Sequence, residues 1–528
     1  MATPRVSSKR LWIAVIALVL VVIVAVAAYS MTPKAPEKRG GTLVISLGTD
    51  IPIFDPQKST GMQNLGIIRL VCETLTDMDP KTGEVKPNLA ESWESTPDAT
   101  TWTVHLRKGI KFHDGTTFTA EAVKVSIMDR LLNPQAKSPA RGSFSMIKSM
   151  DIKDDYTVVF HTTGYAPLMA LFNYAPSEII SPTQYKKLGD DFYKQPIGTG
   201  PYKFVEHVKG DHVKLVANPE YWNGAPELDT IIMKPIPEAG ARVMALESGS
   251  SHVITNVPPA DYFRLKADAR FYAIQALSQR SMHVSLNTKW GPLKDVKVRQ
   301  ALNYAVDKKA IVDRIFKGTA GIMDCPGIPP SAFGYSKIGV YEYDPAKAKQ
   351  LLAQAGYPNG FEVELMYGAG RFLMDTEVVE AVQSYLSAVG LKVKITPLEW
   401  AAFQAAEAKP VNETKVQMAF VGFGLPTLDA DQALENFRSD SWPPLGLEPM
   451  FYQNARFQAL DDKGRSITDL AQRKVIYHDA TQILFDEAPW IFLYYEPQLH
   501  LARAEAKNVL MRHDETIWLF GAYMEKKS

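Results

Sequence analysis

The sequence predicts a mixed α/β fold, and three stretches carry that prediction. Residues 344–356 read as a helix: Asp344 suits the N-cap, Pro345 the first helical position, Leu351, Leu352 and Ala355 share a face, and Gly356 can end it. A second helix opens at Asp375, with Val378, Val382, Tyr385, Leu386 and Val389 on one side. Gly390 closes it, and the alternating run LKVKI at 391–395 comes next as a strand. A third helix, from about Ile467 to Phe485, runs into WIFLYY at 490–495, an unbroken apolar strand that must be covered on both faces and belongs in a sheet centre. Helix-to-strand alternation of this kind is the signature of α/β layers.

Other elements are plain. Thr42–Leu47 and Tyr156–His161 are strand-like, and Thr101–Leu106 alternates Trp102, Val104 and Leu106 with polar neighbours, so one of its faces is buried. Turn chemistry is dense at Lys108-Gly109, at Asp114-Gly115 and from Pro80 to Gly83.

At 528 residues the chain exceeds the usual domain length of roughly 100–150 several times over, so two or three lobes are expected. Lys plus Arg and Asp plus Glu number 58 each, which removes the electrostatic footprint of a nucleic-acid binder. Cys72 and Cys325 are in no metal-like spacing and read as two buried thiols, favoured, or as one bridge. Arg5, Lys9 and Arg10 precede an apolar run from Leu11 to Ala28, which puts the chain beyond that run outside the cytoplasm. The run's length fits a cleaved signal, with Ala25-Val26-Ala27 as cleavage site, and equally an uncleaved anchor. Residues 32–39, TPKAPEKR, read as a tether.

Catalytic signatures are missing: there is no Walker A loop, no G-x-S-x-G elbow, no H-E-x-x-H and no C-x-x-C. His105 and His113, eight apart in a strand and a turn, read as structural. GFGLPT at 422–427 lacks the Lys-Ser/Thr of a phosphate loop. No cofactor and no metal site is expected, and no enzymatic activity.

The stretch TWTVHLRKGIKFHDGTTFTAEAV (101–123), with GTGPY (198–202), NPEYW (218–222) and DVKVRQALNYAVD (295–307) after it, resembles the family 5 solute-binding proteins, from about Gly40 to about Phe520. That family includes dipeptide-, oligopeptide- and nickel-binding proteins that deliver solutes to ABC importers. The resemblance implies a type II periplasmic-binding-protein-like fold: two α/β lobes around a ligand cleft, with a hairpin-rich subdomain inserted in the first. By analogy lobe I takes 40–78, 196–284 and 491–528, the insertion 79–195 and lobe II 285–490, behind a leader and tether at 1–39. It also implies a monomer that binds a small, peptide-like solute, docks on an ABC permease and works outside the cytoplasmic membrane. Alternatives are a membrane-anchored solute sensor, or a binder of an oligosaccharide, an opine or a metal chelate.

The resemblance also nominates site residues. After the strand VQMAFVGF (416–423), the dipeptide and oligopeptide binders carry an aspartate for the peptide's α-amino group. Here Phe423 takes the aromatic position, Gly424 comes next, and Pro426 stands in the aspartate's place. Asp429 or Asp431 can substitute by swinging inward, or simply cap the adjoining helix, the favoured reading for both. Arg371, in a glycine-flanked loop before the helix at Asp375, is suited to a ligand carboxylate, with an exposed surface arginine as the equal alternative. Trp400, Trp290 and Phe54 join Phe423 as candidate pocket aromatics, each more readily explained as packing.

Overall fold

A computed structural model describes residues 40–525 apart from 52, 60–61, 80–83, 277–278, 445–447 and 513. The apolar run and tether at 1–39 and the turn at 80–83 lie outside the described residues. No helix among the described residues is long and apolar enough to cross a membrane.

Two large sheets organise the chain. The first has seven strands in the order Phe271–Ala276, Gln498–Arg503, Val253–Ile254, Thr42–Leu47, Thr230–Pro235, His212–Ala217, Tyr202–Val208. The second has six, in the order Gly321–Ile322, Trp490–Tyr495, Arg280–Leu286, Met418–Gly424, Glu362–Gly368, Lys392–Leu398. The chain passes from the first sheet to the second between Ala276 and Arg280 and returns between Tyr495 and Gln498. Phe271–Ala276 pairs with Gln498–Arg503 and Arg280–Leu286 with Trp490–Tyr495, so the strands flanking the two crossings are neighbours in both sheets, as in a paired-strand hinge. Arg280–Leu286 and Trp490–Tyr495 therefore belong to the second sheet, whereas boundaries at 284 and 491 would divide or misassign them.

Local chemistry explains the elements. All six side chains of Trp490–Tyr495 are buried, as a covered apolar strand requires. In Thr101–Leu106 the odd positions are half-exposed and Trp102, Val104 and Leu106 are buried. This strand sits in a four-stranded antiparallel sheet with Ala90–Ser95, Thr157–Thr162 and Ile147–Asp154, the hairpin-rich part of the chain. The Asp344 side chain accepts from the Lys347 amide at 2.8 Å and caps helix Pro345–Gln354. The last long helix begins at Leu470, three residues beyond Ile467, because Asp469 accepts from the Gln472 amide at 3.0 Å and so sets the start.

GTGPY does more than turn the chain. A side chain at Gly198 would overlap the Val71 carbonyl, and one at Gly200 would come within 2.5 Å of the Leu70 carbonyl oxygen. Asn218 of NPEYW donates to the Gly200 carbonyl at 3.2 Å, and Trp222 to the buried carboxyl of Glu73 at 3.0 Å. The motifs are thus a packing unit of the first lobe. Both cysteines are free and buried, Cys72 in the first lobe's core and Cys325 in a core of the second.

Candidate functional site

Strands Glu362–Gly368, Lys392–Leu398 and Met418–Gly424 run parallel, and their carboxyl ends gather four of the nominated positions. Ligands of open α/β sheets bind at such an edge. Arg371 comes after the first strand, Trp400 after the second, and Phe423 and Gly424 end the third. Gly368 permits the arrangement, since a Cβ there would lie 2.6 Å from Trp400 Cε3.

The Arg371 guanidinium carbon stands 5.0 Å from the Phe372 ring centre and 5.3 Å from that of Trp400. Arg371 makes no ion pair with any described carboxylate. Its side chain is exposed, although enough protein lies around it to desolvate its charge. Desolvation, and then the charge of Arg280, push its pKa below the ordinary arginine value.

Arg280 explains why Arg371 is left alone. From the hinge it binds Glu515 through Nε at 3.0 Å and Nη2 at 2.9 Å, approaches Glu496 at 3.3 Å, and donates through Nη1 to the Gly422 carbonyl at 2.9 Å. Glu496 in turn accepts from the Leu373 amide at 3.0 Å, tying the Arg371 loop to the hinge. Gly424 is glycine because Arg280 crosses it: a Cβ would lie 3.1 Å from Nη2. Burial raises Glu496, and Arg280 opposes that shift.

Other nominated residues lie elsewhere. Phe423 alternates with Gly422 and Gly424, so its ring turns to the opposite face and packs on the core that holds Cys325. Phe54 is buried in the first lobe against Phe204, with ring centres 5.0 Å apart. Trp290 packs near Phe361, which precedes the strand whose far end carries Arg371, about 20 Å away at strand rise. Asp429 is not a ligand anchor in this geometry. Its oxygens are held by Arg473 at 2.8 and 3.0 Å, and Oδ1 also caps helix Ala430–Glu435 through the Asp431 amide at 3.0 Å. Asp431 accepts from the Tyr165 hydroxyl at 2.6 Å and pairs with Arg465 at 2.8 Å. The Pro426 carbonyl receives a long 3.5 Å bond from Asn173.

Sequence reasoning missed Arg280, Glu496 and Glu515. Glu496 alone left a trace, as a single charge directly after six wholly apolar or aromatic residues.

Comparison with known proteins places this arrangement. The model of the bacterial extracellular solute-binding proteins, family 5, matches residues 84–443. The glutathione-binding protein GsiB of Pectobacterium atrosepticum is 33% identical over 474 residues, covering 88% of this chain and 90% of that protein. Among solved structures, the periplasmic binding protein DppA from Helicobacter pylori in complex with peptide STSA superposes with a TM-score of 0.82 at 29% identity, over 93% of this chain and 99% of that one. AgaA from A. tumefacien R10 in complex with agropinic acid gives 0.80 at 27%, over 92% and 99%. With an α/β lobe on each side of a paired-strand hinge and a family model matched over most of its length, the chain belongs to the bacterial extracellular solute-binding proteins, family 5, and is a substrate-binding protein of the ABC-importer type.

Proposed function

We propose that this protein captures a small anionic, peptide-like solute between its lobes, holds an acidic group of that solute on Arg371, and hands it to a membrane permease without chemical change. The observation that carries the reading is the Arg371 guanidinium, beyond the carboxyl end of a parallel strand, backed by Phe372 and Trp400 and paired with no carboxylate among the described residues. Glutathione is the first solute to test, because relatives 30–33% identical over about nine-tenths of the chain are named for it and because it carries two carboxylates. Asp429 and Asp431 are spent on Arg473 and Arg465, so a free α-amino group has no acid waiting for it in that loop. This favours, as a second reading, an acidic solute that is not a peptide, such as the agropinic acid held by AgaA.

Lobe I is proposed to comprise the seven-stranded sheet with the insertion at 79–195, and lobe II the six-stranded sheet. The basic start and apolar run support an extracytoplasmic location, as a monomer either released by cleavage or tethered. A reporter fused after Ser528 should be active only if it functions outside the cytoplasm.

Titration calorimetry with glutathione tests the site. Arg371→Ala should weaken binding by about 2–5 kcal/mol, and Arg371→Lys should restore only part, since an ammonium keeps the charge without the planar fork. N-acetylation of the ligand should matter little. Full affinity in Arg371→Ala together with loss on N-acetylation would overturn the assignment.

A further inference from the structure

A second group of charges spans the lobe boundary, between the insertion and the helices of lobe II. Tyr165 is buried in the insertion's own core, and its hydroxyl donates across the boundary to Asp431 Oδ2 at 2.6 Å. Arg465 pairs with Oδ1 of the same carboxyl at 2.8 Å. Its guanidinium carbon lies 5.6 Å from the Tyr165 ring centre, and its carbonyl accepts from the Ala166 amide at 2.7 Å. Two adjacent residues of the insertion thus grip two residues of lobe II through side chain and main chain together.

Asp431 is enclosed by ionisable groups from every element packed on it. Its own helix and cap bring Glu435 and Asp429. Helix Ala455–Arg465 brings Asp461 and Arg465, and helix Leu470–Glu487 brings Arg473 and Tyr477. Arg473 is taken by Asp429. Arg438 binds Asp461 at 2.7 Å and is shared with the exposed Asp440 and Asp462. Three buried carboxyls and a half-buried fourth therefore face three guanidiniums, one of them partly spent outside. Asp461 Oδ1 has no hydrogen-bond partner among the described residues. Such an enclosure is neutral only with a proton on one of its acids.

We propose that Tyr165, Asp431 and Arg465 form a latch that secures the closed form, and that shutting it traps a proton in the acid cluster, so that acid tightens and alkali loosens the grip on the solute. This rests on the reading that the lobes open and close around a solute. Opening parts Tyr165 from Asp431 and returns the carboxyl to water, where it needs no proton. Closing strips that water and supplies one phenol in its place. Burial, and next the charge of Asp431, raise Asp461 to about 7, and burial raises Asp431 and Glu435 as well. The closed form thus holds more protons than the open form between the ordinary carboxyl range and about pH 7, so closure weakens as pH rises through that window.

Calorimetry with glutathione at pH 5.5 and 7.5, across which the peptide's own charge is nearly constant, reads the linkage. The parent should bind about tenfold more weakly at pH 7.5. Tyr165→Phe, which removes one hydroxyl, should lose about tenfold at pH 5.5. Asp431→Asn should bind with little pH dependence. Parent-like affinity in Tyr165→Phe, or the parent's full pH dependence in Asp431→Asn, would overturn the latch. Should glutathione not bind the parent, glutathione alone is excluded as the solute, and X-ray scattering of the ligand-free protein decides the latch. The radius of gyration should be smaller at pH 5.5 than at 7.5 in the parent and equal in Tyr165→Phe. Equal radii in the parent at both pH values would rule the latch out.

Discussion

The two charge groups on the lobe boundary use the same residue types and balance in opposite directions. At the hinge, Arg280 takes both Glu496 and Glu515, so Arg371 is left without an ion pair among the described residues. Beside Tyr165 every guanidinium is engaged and carboxyls are in surplus. A stranded guanidinium calls for an anion from outside, whereas surplus enclosed carboxyls are satisfied by a proton. Counting acids and bases along the sequence distinguishes neither group; the pairing does.

Arg280→Ala tests the difference hardest. It leaves two largely buried carboxylates without their cation and should lower unfolding stability by about 3–5 kcal/mol in a urea titration. A loss under about 1 kcal/mol would mean that Arg280 does not neutralise Glu496 and Glu515. Asp429→Ala performs the converse operation, stranding buried Arg473, at a cost of about 3 kcal/mol. Asp429 also belongs to the acid cluster around Asp431, so only a fall in affinity that Asp431→Asn does not share would restore Asp429 as an anchor.

A smaller effect is expected at Glu407, which is buried, has an Oε1 without a hydrogen-bond partner among the described residues, and is held well above the usual carboxylate range by burial and by Glu448. A carboxyl raised in the folded state contributes stability below its unfolded pKa and loses it as pH rises toward its folded value. Glu407→Gln should therefore show a smaller drop in Tm between pH 5 and 8 than the parent. Parallel curves would point to another group. The smallest change belongs to Arg371→Ala, which should alter stability by no more than about 0.5 kcal/mol because no carboxylate depends on it. A large loss there would make Arg371 structural.

The periodic elements were legible because their information is local. The alternation at 101–106, the cap and proline at 344–345, and the apolar run at 490–495 each state their own structure. The positions of Arg371 and Trp400 beyond strand ends were legible too, Arg371 in a loop and Trp400 at the start of helix Trp400–Glu407. Asp429 was half legible: its capping bond lies two residues away, but Arg473 is 44 residues distant. The Arg280–Glu515 pair joins positions 235 apart through the hinge, and no local pattern announces it. Phe54 and Trp290, favoured as packing residues, were ambiguous for a different reason, since an aromatic residue beside glycine or proline reads alike whether its ring faces a cleft or a core.

The two free thiols give the architecture a use of its own. Burial holds Cys72 far above its ordinary pKa and Cys325 at about 12, so neither presents a thiolate while its core is shut. One lies in each lobe, too deep to meet an alkylating reagent unless the surrounding core breathes. Modification of the unaltered protein under native conditions would thus run as two independent clocks, one per lobe, each timing the local opening of its own half of the molecule.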